Sequence, residues 1–179
     1  MNLFKYELLF KIQIGDKMEI MVAYYSWKGH TQKVAEELAN ELEAHLEKIE
    51  ALKESGMASK AMKAYLGLKS DIKPIKTDIS NVDFLIVATP VWSGHATPYM
   101  NKYLSQLTGC SGKCFSVLTE MGQSGGDKTI AQIRKTLENK GMTFVSSAMT
   151  IEEEVDSGNY KDTISKLADS IKEYIKSCE

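Results

Sequence analysis

The residues whose types and spacing offer chemistry form one short run, Ser26, Trp27, Lys28, Gly29, His30 and Thr31. It follows apolar Ile20-Met21-Val22-Ala23 and precedes a helical pattern, so it reads as strand, tight loop and helix. A helix start leaves unpaired N–H groups and the positive end of the helix dipole directed at the loop, which suits a phosphate dianion. Gly29 allows a close backbone turn, Ser26 and Thr31 supply hydroxyls, and Lys28 supplies a charge. This loop is a candidate phosphate cradle, with His30 beside it.

Two later stretches end an apolar run in the same manner. Phe84-Leu85-Ile86-Val87-Ala88 leads into Thr89, Pro90, Val91, Trp92, Ser93 and Gly94, a loop carrying a large aromatic. Val117-Leu118-Thr119-Glu120-Met121 leads into Gly122-Gln123-Ser124-Gly125-Gly126. The spacing Ser-x-x-Gly-x-Thr, followed in this order by an aromatic loop and a Gly-rich loop, resembles the flavodoxin family from about Met18 to the C-terminus. That resemblance implies FMN, with its 5′-phosphate on Ser26 to Thr31, its ring against Thr89 to Gly94, and closure of the site at Gly122.

On the same resemblance, Trp92 is the candidate to stack on the isoalloxazine, because a rigid aromatic buries much area and offers a π face. Backbone amides of Val91 to Gly94 would meet the ring's pyrimidine edge, where donors stabilise the charge of reduced flavin. His95, beside that loop, is either a proton donor to a reduced quinone or an ordinary loop histidine. Lys28 is a departure, since electron-carrier flavodoxins usually have a hydroxyl residue there. It either pairs with phosphate as a point charge or points into solvent. No side chain is required as a nucleophile, because the cofactor carries the redox chemistry.

Five strands alternating with helices are expected to position these loops. Val34, Ala35, Leu38, Ala39 and Leu42 lie on one face of a helix from Thr31. A short second strand is expected over residues 45–51, the third over 84–88, the fourth over 114–118 and the last over 142–149. Between them, Pro98 can begin a helix carrying Met100, Tyr103, Leu104 and Leu107, and Asp127 can cap one carrying Ile130, Ile133 and Leu137. Tyr160, Ile164, Leu167, Ala168, Ile171 and Ile175 mark a closing helix. Residues 57–67 suggest a short helix closed by Gly67, in a region that in the flavodoxin family covers the second face of the ring. The acidic run at 152–156 is expected to be a solvated connection, with a partner-docking patch as the alternative. This alternation implies right-handed crossovers and a three-layer α/β/α sandwich, with a five-stranded parallel sheet in the flavodoxin-like order 2-1-3-4-5. Ligands in such sheets bind beyond the carboxyl ends of the strands, where all three loops would converge.

With 179 residues, 43% of them hydrophobic and 26% charged, the chain suits one domain with a full core. In residues 1–17, Phe4, Tyr6, Leu8, Phe10, Ile12 and Ile14 alternate with mostly polar residues. A central first strand leaves such a segment no neighbour in the sheet, so it packs elsewhere, pairs with another subunit or is an extension. With Met18 immediately before the first strand, an extension to a domain spanning 18–179 is expected. A formal charge of −2 without a dense basic tract gives no push toward nucleic acid. No apolar run approaches the roughly 20 residues of a membrane helix, and Cys110, Cys114 and Cys178 fit no metal or redox spacing. A cytoplasmic protein with reduced thiols is expected.

The absence of Gly-x-Gly-x-x-Gly argues against a dinucleotide-binding domain, and that of Gly-x-x-x-x-Gly-Lys-Ser/Thr against a nucleotide triphosphatase. Strand ends at Tyr25-Ser26 and Thr89-Pro90 lack the acids that phosphoacceptor receivers carry. Three functions stay open: FMN-dependent electron transfer to redox partner proteins, NAD(P)H-dependent reduction of a quinone or similar small acceptor, and an interaction module that has lost FMN.

Overall fold

The computed structural model describes residues 18–53, 62–63, 66 and 68–177. Strand β1 (Ile20–Tyr24) leads into α1 (His30–Leu42) and β2 (His45–Lys48). Strand β3 (Phe84–Trp92) turns into β4 (His95–Ala96) and α2 (Pro98–Gln106). Then follow β5 (Cys114–Met121), α3 (Gly126–Glu138), β6 (Thr143–Ile151), α4 (Glu152–Ser157) and α5 (Lys161–Ser177). The expectations for residues 1–17 and Cys178, and most of the helix read at 57–67, fall outside the described residues.

Five strands pair in parallel in the order β2-β1-β3-β5-β6, the doubly wound order the alternation implies. Side chains alternate between the two faces of the sheet. Met21, Ala23, Leu85 and Val87 join α2 and α3 in one core, while Val22, Tyr24, Phe84, Ile86 and Ala88 join α1 and α5 in the other. Both faces being covered explains the unbroken apolar run of β3. Cys110 and Cys114 are buried thiols, and Cys114 Sγ lies 3.2 Å from Tyr174 Oη.

Three local readings are corrected. The sheet has a sixth strand, the two-residue β4 antiparallel to β3, because Ser93 (φ +52) and Gly94 (φ +73) make a tight two-residue hairpin turn of the kind that needs two left-handed residues. Asp127 does not cap α3: the cap position is Gly125 at φ +97, and Asp127 lies in the first turn. Residues 152–156 are not a solvated connection but part of helix α4. The Glu154 carboxylate accepts a hydrogen bond from Ile151 N–H at 3.1 Å, Val155 is buried, and Gly158 ends the helix at φ +84. Strands β3, β5 and β6 also run further toward their carboxyl ends than the apolar pattern suggested, which carries Trp92, Glu120 and Ile151 to the functional edge of the sheet.

Candidate functional site

At the carboxyl end of β1, Ser26 Oγ accepts from Gly29 N–H at 3.1 Å and folds the first loop back on itself. Helix α1 starts after Gly29 at φ +99, with no side-chain cap and no acid in its first turn. A Cβ on Gly29 would find nothing within 4 Å, so the space beside this helix start is open among the described residues. The first-turn N–H groups of a helix lack intrahelical partners and carry partial positive charge. Here the first residue of the helix, His30, lines a cleft.

That cleft, of about 260 Å³, joins the three loops. The first contributes Trp27, Lys28 and His30, the second Pro90, Val91, Trp92 and Ser93, and the third Met121 and Gly122. Trp92 is braced edge-on against Tyr25, Trp27 and Tyr99, at ring separations of 5.9, 6.3 and 6.4 Å. Tyr25 in turn stacks on Tyr99 at 4.8 Å. Packing fixes Trp92 as a wall, whereas Trp27 is 40% exposed, with Lys28 Nζ 5.5 Å from its ring. Ser93, a non-glycine in the left-handed region, also lines the cleft, and such conformations persist only where the surroundings enforce them.

Other residues of the three loops serve as scaffold. Thr31 is buried, and its hydroxyl donates to Glu120 Oε2 at 3.1 Å. Thr89 is buried and donates to the Pro90 carbonyl at 3.2 Å. Gly94 forms the hairpin turn, and His95 pairs with Trp92 across it. Ser26, Gly29, Thr31, Thr89 and Gly94 therefore shape the loops beside the cleft.

Two carboxylates line it, and neither was among the residues singled out from the sequence: Glu120 at the end of β5 and Glu152 at the start of α4. Glu120 is 5% exposed, and burial raises its pKa. The charge of Glu152 raises it further, while the Thr31 hydrogen bond, His30 and Lys28 work the other way. Glu152 Oε1 lies 3.4 Å from Lys28 Nζ and 3.5 Å from His30 Nδ1, and Asp156 Oδ1 lies 3.0 Å from His30 Nε2. A signal for Glu120 was present, since a charged residue continuing an apolar strand covered on both faces needs a reason to be there. For Glu152 and Asp156 there was none, because their place depends on α4 folding back beside the first loop.

The model of the NADPH-dependent FMN reductase family matches residues 18–156. The chain belongs to that family. An NAD(P)H dehydrogenase (quinone) from Paracoccus denitrificans is 28% identical over 138 residues, covering 71% of this chain and 66% of its own length. One from Cupriavidus metallidurans is 28% identical over 162 residues, covering 81% of each. Among solved structures, a flavoprotein from Lactobacillus acidophilus in complex with FMN superposes with a TM-score of 0.65 at 19% identity, covering 79% of this chain and 98% of its own.

FMN is the cofactor of this FMN reductase family member, and the cleft can be tested against it. The open start of α1, Lys28 beside it, and the walls of Trp27 and Trp92 suit a phosphate joined to a flat aromatic ring. Glu120 and Glu152 do not by themselves suit a dianion. The site fits FMN provided that their charge is compensated. Among the described residues no helix is long and apolar enough to cross a membrane.

Proposed function

We propose that this protein is an FMN-dependent oxidoreductase that oxidises NAD(P)H and passes the two electrons to a quinone or a similar small acceptor. The observation that carries this reading is the cleft at the carboxyl ends of the strands, where His30, the first residue of an uncapped helix, lines the same space as two tryptophans. Membership of the FMN reductase family and two relatives named as quinone-type NAD(P)H dehydrogenases support the choice over a pure electron carrier. The N–H groups at the start of α1 and the Lys28 ammonium bind the phosphate. Trp27 and Trp92 hold the ring and exclude water from it. Bound there, FMN supplies the chemistry of accepting a hydride from NAD(P)H and returning two electrons to an acceptor.

Purified protein is titrated with FMN and with riboflavin, then the loaded protein is mixed anaerobically with NAD(P)H, and afterwards with a quinone. Tighter binding of FMN than of riboflavin, rapid loss of oxidised-flavin absorbance and its recovery with quinone are expected. Loaded protein that NAD(P)H does not bleach, but that exchanges electrons with a redox protein, would overturn the enzyme reading in favour of the carrier. Failure of either flavin to bind at tens of micromolar, an affinity of about −6 kcal/mol or weaker, would overturn both.

A further inference from the structure

We propose that His30, Glu120 and Glu152 form a binding site for a divalent first-row cation such as Mn²⁺ or Zn²⁺ at the phosphate end of the cleft. The three side chains come from three elements: the first residue of α1, the carboxyl end of β5 and the first residue of α4. One ligand atom from each lies within 4.8 Å of the other two. An imidazole with two carboxylates is a donor set that suits divalent first-row ions. His30 Nδ1 and Glu152 Oε1 are 3.5 Å apart, close to the roughly 3.4 Å that separates two ligands of a tetrahedral ion at bond lengths near 2.1 Å.

The arrangement around His30 supplies an independent reason. Its Nε2 lies 3.0 Å from Asp156 Oδ1. With Nε2 placed against Asp156, Nδ1 is the ring nitrogen that faces the Glu152 carboxylate, on the side where an ion would sit. A histidine whose far nitrogen is held by a carboxylate is also the usual outer arrangement of a metal-ligating imidazole. Glu120 adds the buried member. One of its oxygens accepts from Thr31, and a carboxylate at 5% exposure is costly without a compensating charge. Lys28 shares Glu152 at 3.4 Å, but its side chain is 51% exposed, so it has room to turn toward a bound anion as the ion takes the carboxylate.

The cation would neutralise the two acids that oppose a dianion at the cradle, so FMN should bind more tightly in its presence. That consequence rests on the FMN reading, whereas the cation site does not.

Flavin-free protein stripped with chelator is titrated with Mn²⁺, followed by the EPR signal of the free ion, and with Zn²⁺ by calorimetry. One saturable site per chain is expected, weakened at least tenfold in Glu152→Gln and in His30→Gln, and about 10–100-fold in Asp156→Asn, which removes only the partner of the ligand. Thermal melts confirm that the variants are folded. No saturable binding, or binding unchanged in all three variants, overturns the site. FMN is then titrated with Mn²⁺ and with chelator. Tighter binding with Mn²⁺ in the wild type but not in Glu152→Gln supports the link to phosphate. Cation binding without any FMN binding sinks the flavin reading alone, and the reverse sinks the cation site alone.

Discussion

Helices α1 and α3 both start after a glycine in the left-handed region, Gly29 at φ +99 and Gly125 at φ +97, and neither takes a side-chain cap. Their surroundings are opposite. A Cβ on Gly29 would meet nothing within 4 Å, whereas one on Gly125 would stand 2.7 Å from Gly94 Cα and 3.1 Å from Val91 Cγ1. Helix α3 carries its own acid, Asp127, in the first turn, and α1 has none there. The same local backbone thus does two jobs. At α3 it lets the third loop press against the β3–β4 hairpin, and the helix end has the charge of its own Asp127 beside it. At α1 the helix end is left for something else, and the acids near it, Glu120 and Glu152, arrive from other elements.

The largest effect that tests this contrast is expected at Gly125. In Gly125→Ala the left-handed backbone costs about 1–2 kcal/mol, and the contact with the Gly94 backbone, which no rotamer change relieves, costs about 1–3 kcal/mol more. Urea unfolding should show the sum, and an unchanged midpoint would mean that the two loops do not support each other. Gly29→Ala carries the backbone cost of about 1–2 kcal/mol without the clash. Its larger consequence should be on FMN affinity, which is expected to fall about tenfold or more, or 1.4 kcal/mol, in a flavin titration. Equal losses of stability at the two glycines, or unaltered FMN binding in Gly29→Ala, would erase the distinction.

A smaller effect concerns the acids borrowed by α1. Burial, and then the charge of Glu152, raise the pKa of Glu120, so the folded chain holds this proton to higher pH than the unfolded chain does. Below the ordinary carboxylate range both states are protonated and the group contributes nothing. As pH rises from the ordinary value toward the raised one, the unfolded chain loses its proton first, so stability falls through that window and stays lower above it. Gln keeps an acceptor for the Thr31 hydroxyl and never ionises. In metal-free buffer Glu120→Gln should therefore melt higher than the wild type at neutral pH, with the difference closing in acid. A constant difference from acid to neutral pH would show that charge at Glu120 is not the cause.

The sheet order and the meeting of three loops were legible because they follow from local features. Unbroken apolar runs such as Phe84 to Ala88 indicate strands covered on both faces, and a loop of small residues before an amphipathic run indicates a helix start. Features that depend on tertiary packing were not legible. The hairpin at Ser93 and Gly94 relies on Ser93 holding a left-handed conformation that serine rarely adopts alone. Helix α4 reads as an acidic connection because the features that distinguish it from one, such as the Ile151–Glu154 hydrogen bond and buried Val155, exist only in the folded chain. Trp92 was read as part of a loop, and its bracing by Tyr25, Trp27 and Tyr99 needs the folded ends of β1, β3 and α2.

The smallest effect returns to the helix starts and exchanges their charges. Asp127 is exposed in the first turn of α3, where a negative charge interacts with the helix dipole for about 0.3–1 kcal/mol and is screened by salt. Asp127→Asn should lower stability by that amount at low ionic strength, less at high salt, and leave FMN affinity alone. The reciprocal change, Gln32→Asp, places an acid in the first turn of α1. It should favour the helix by a similar amount while weakening FMN binding, because the new carboxylate answers the same N–H groups as the phosphate. Salt-sensitive loss of FMN affinity in Gln32→Asp, but not in Asp127→Asn, would show that the start of α1 alone is directed at an anion. Equal behaviour of the two variants in the flavin titration would mean that the phosphate is held by Lys28 and the loop without the helix.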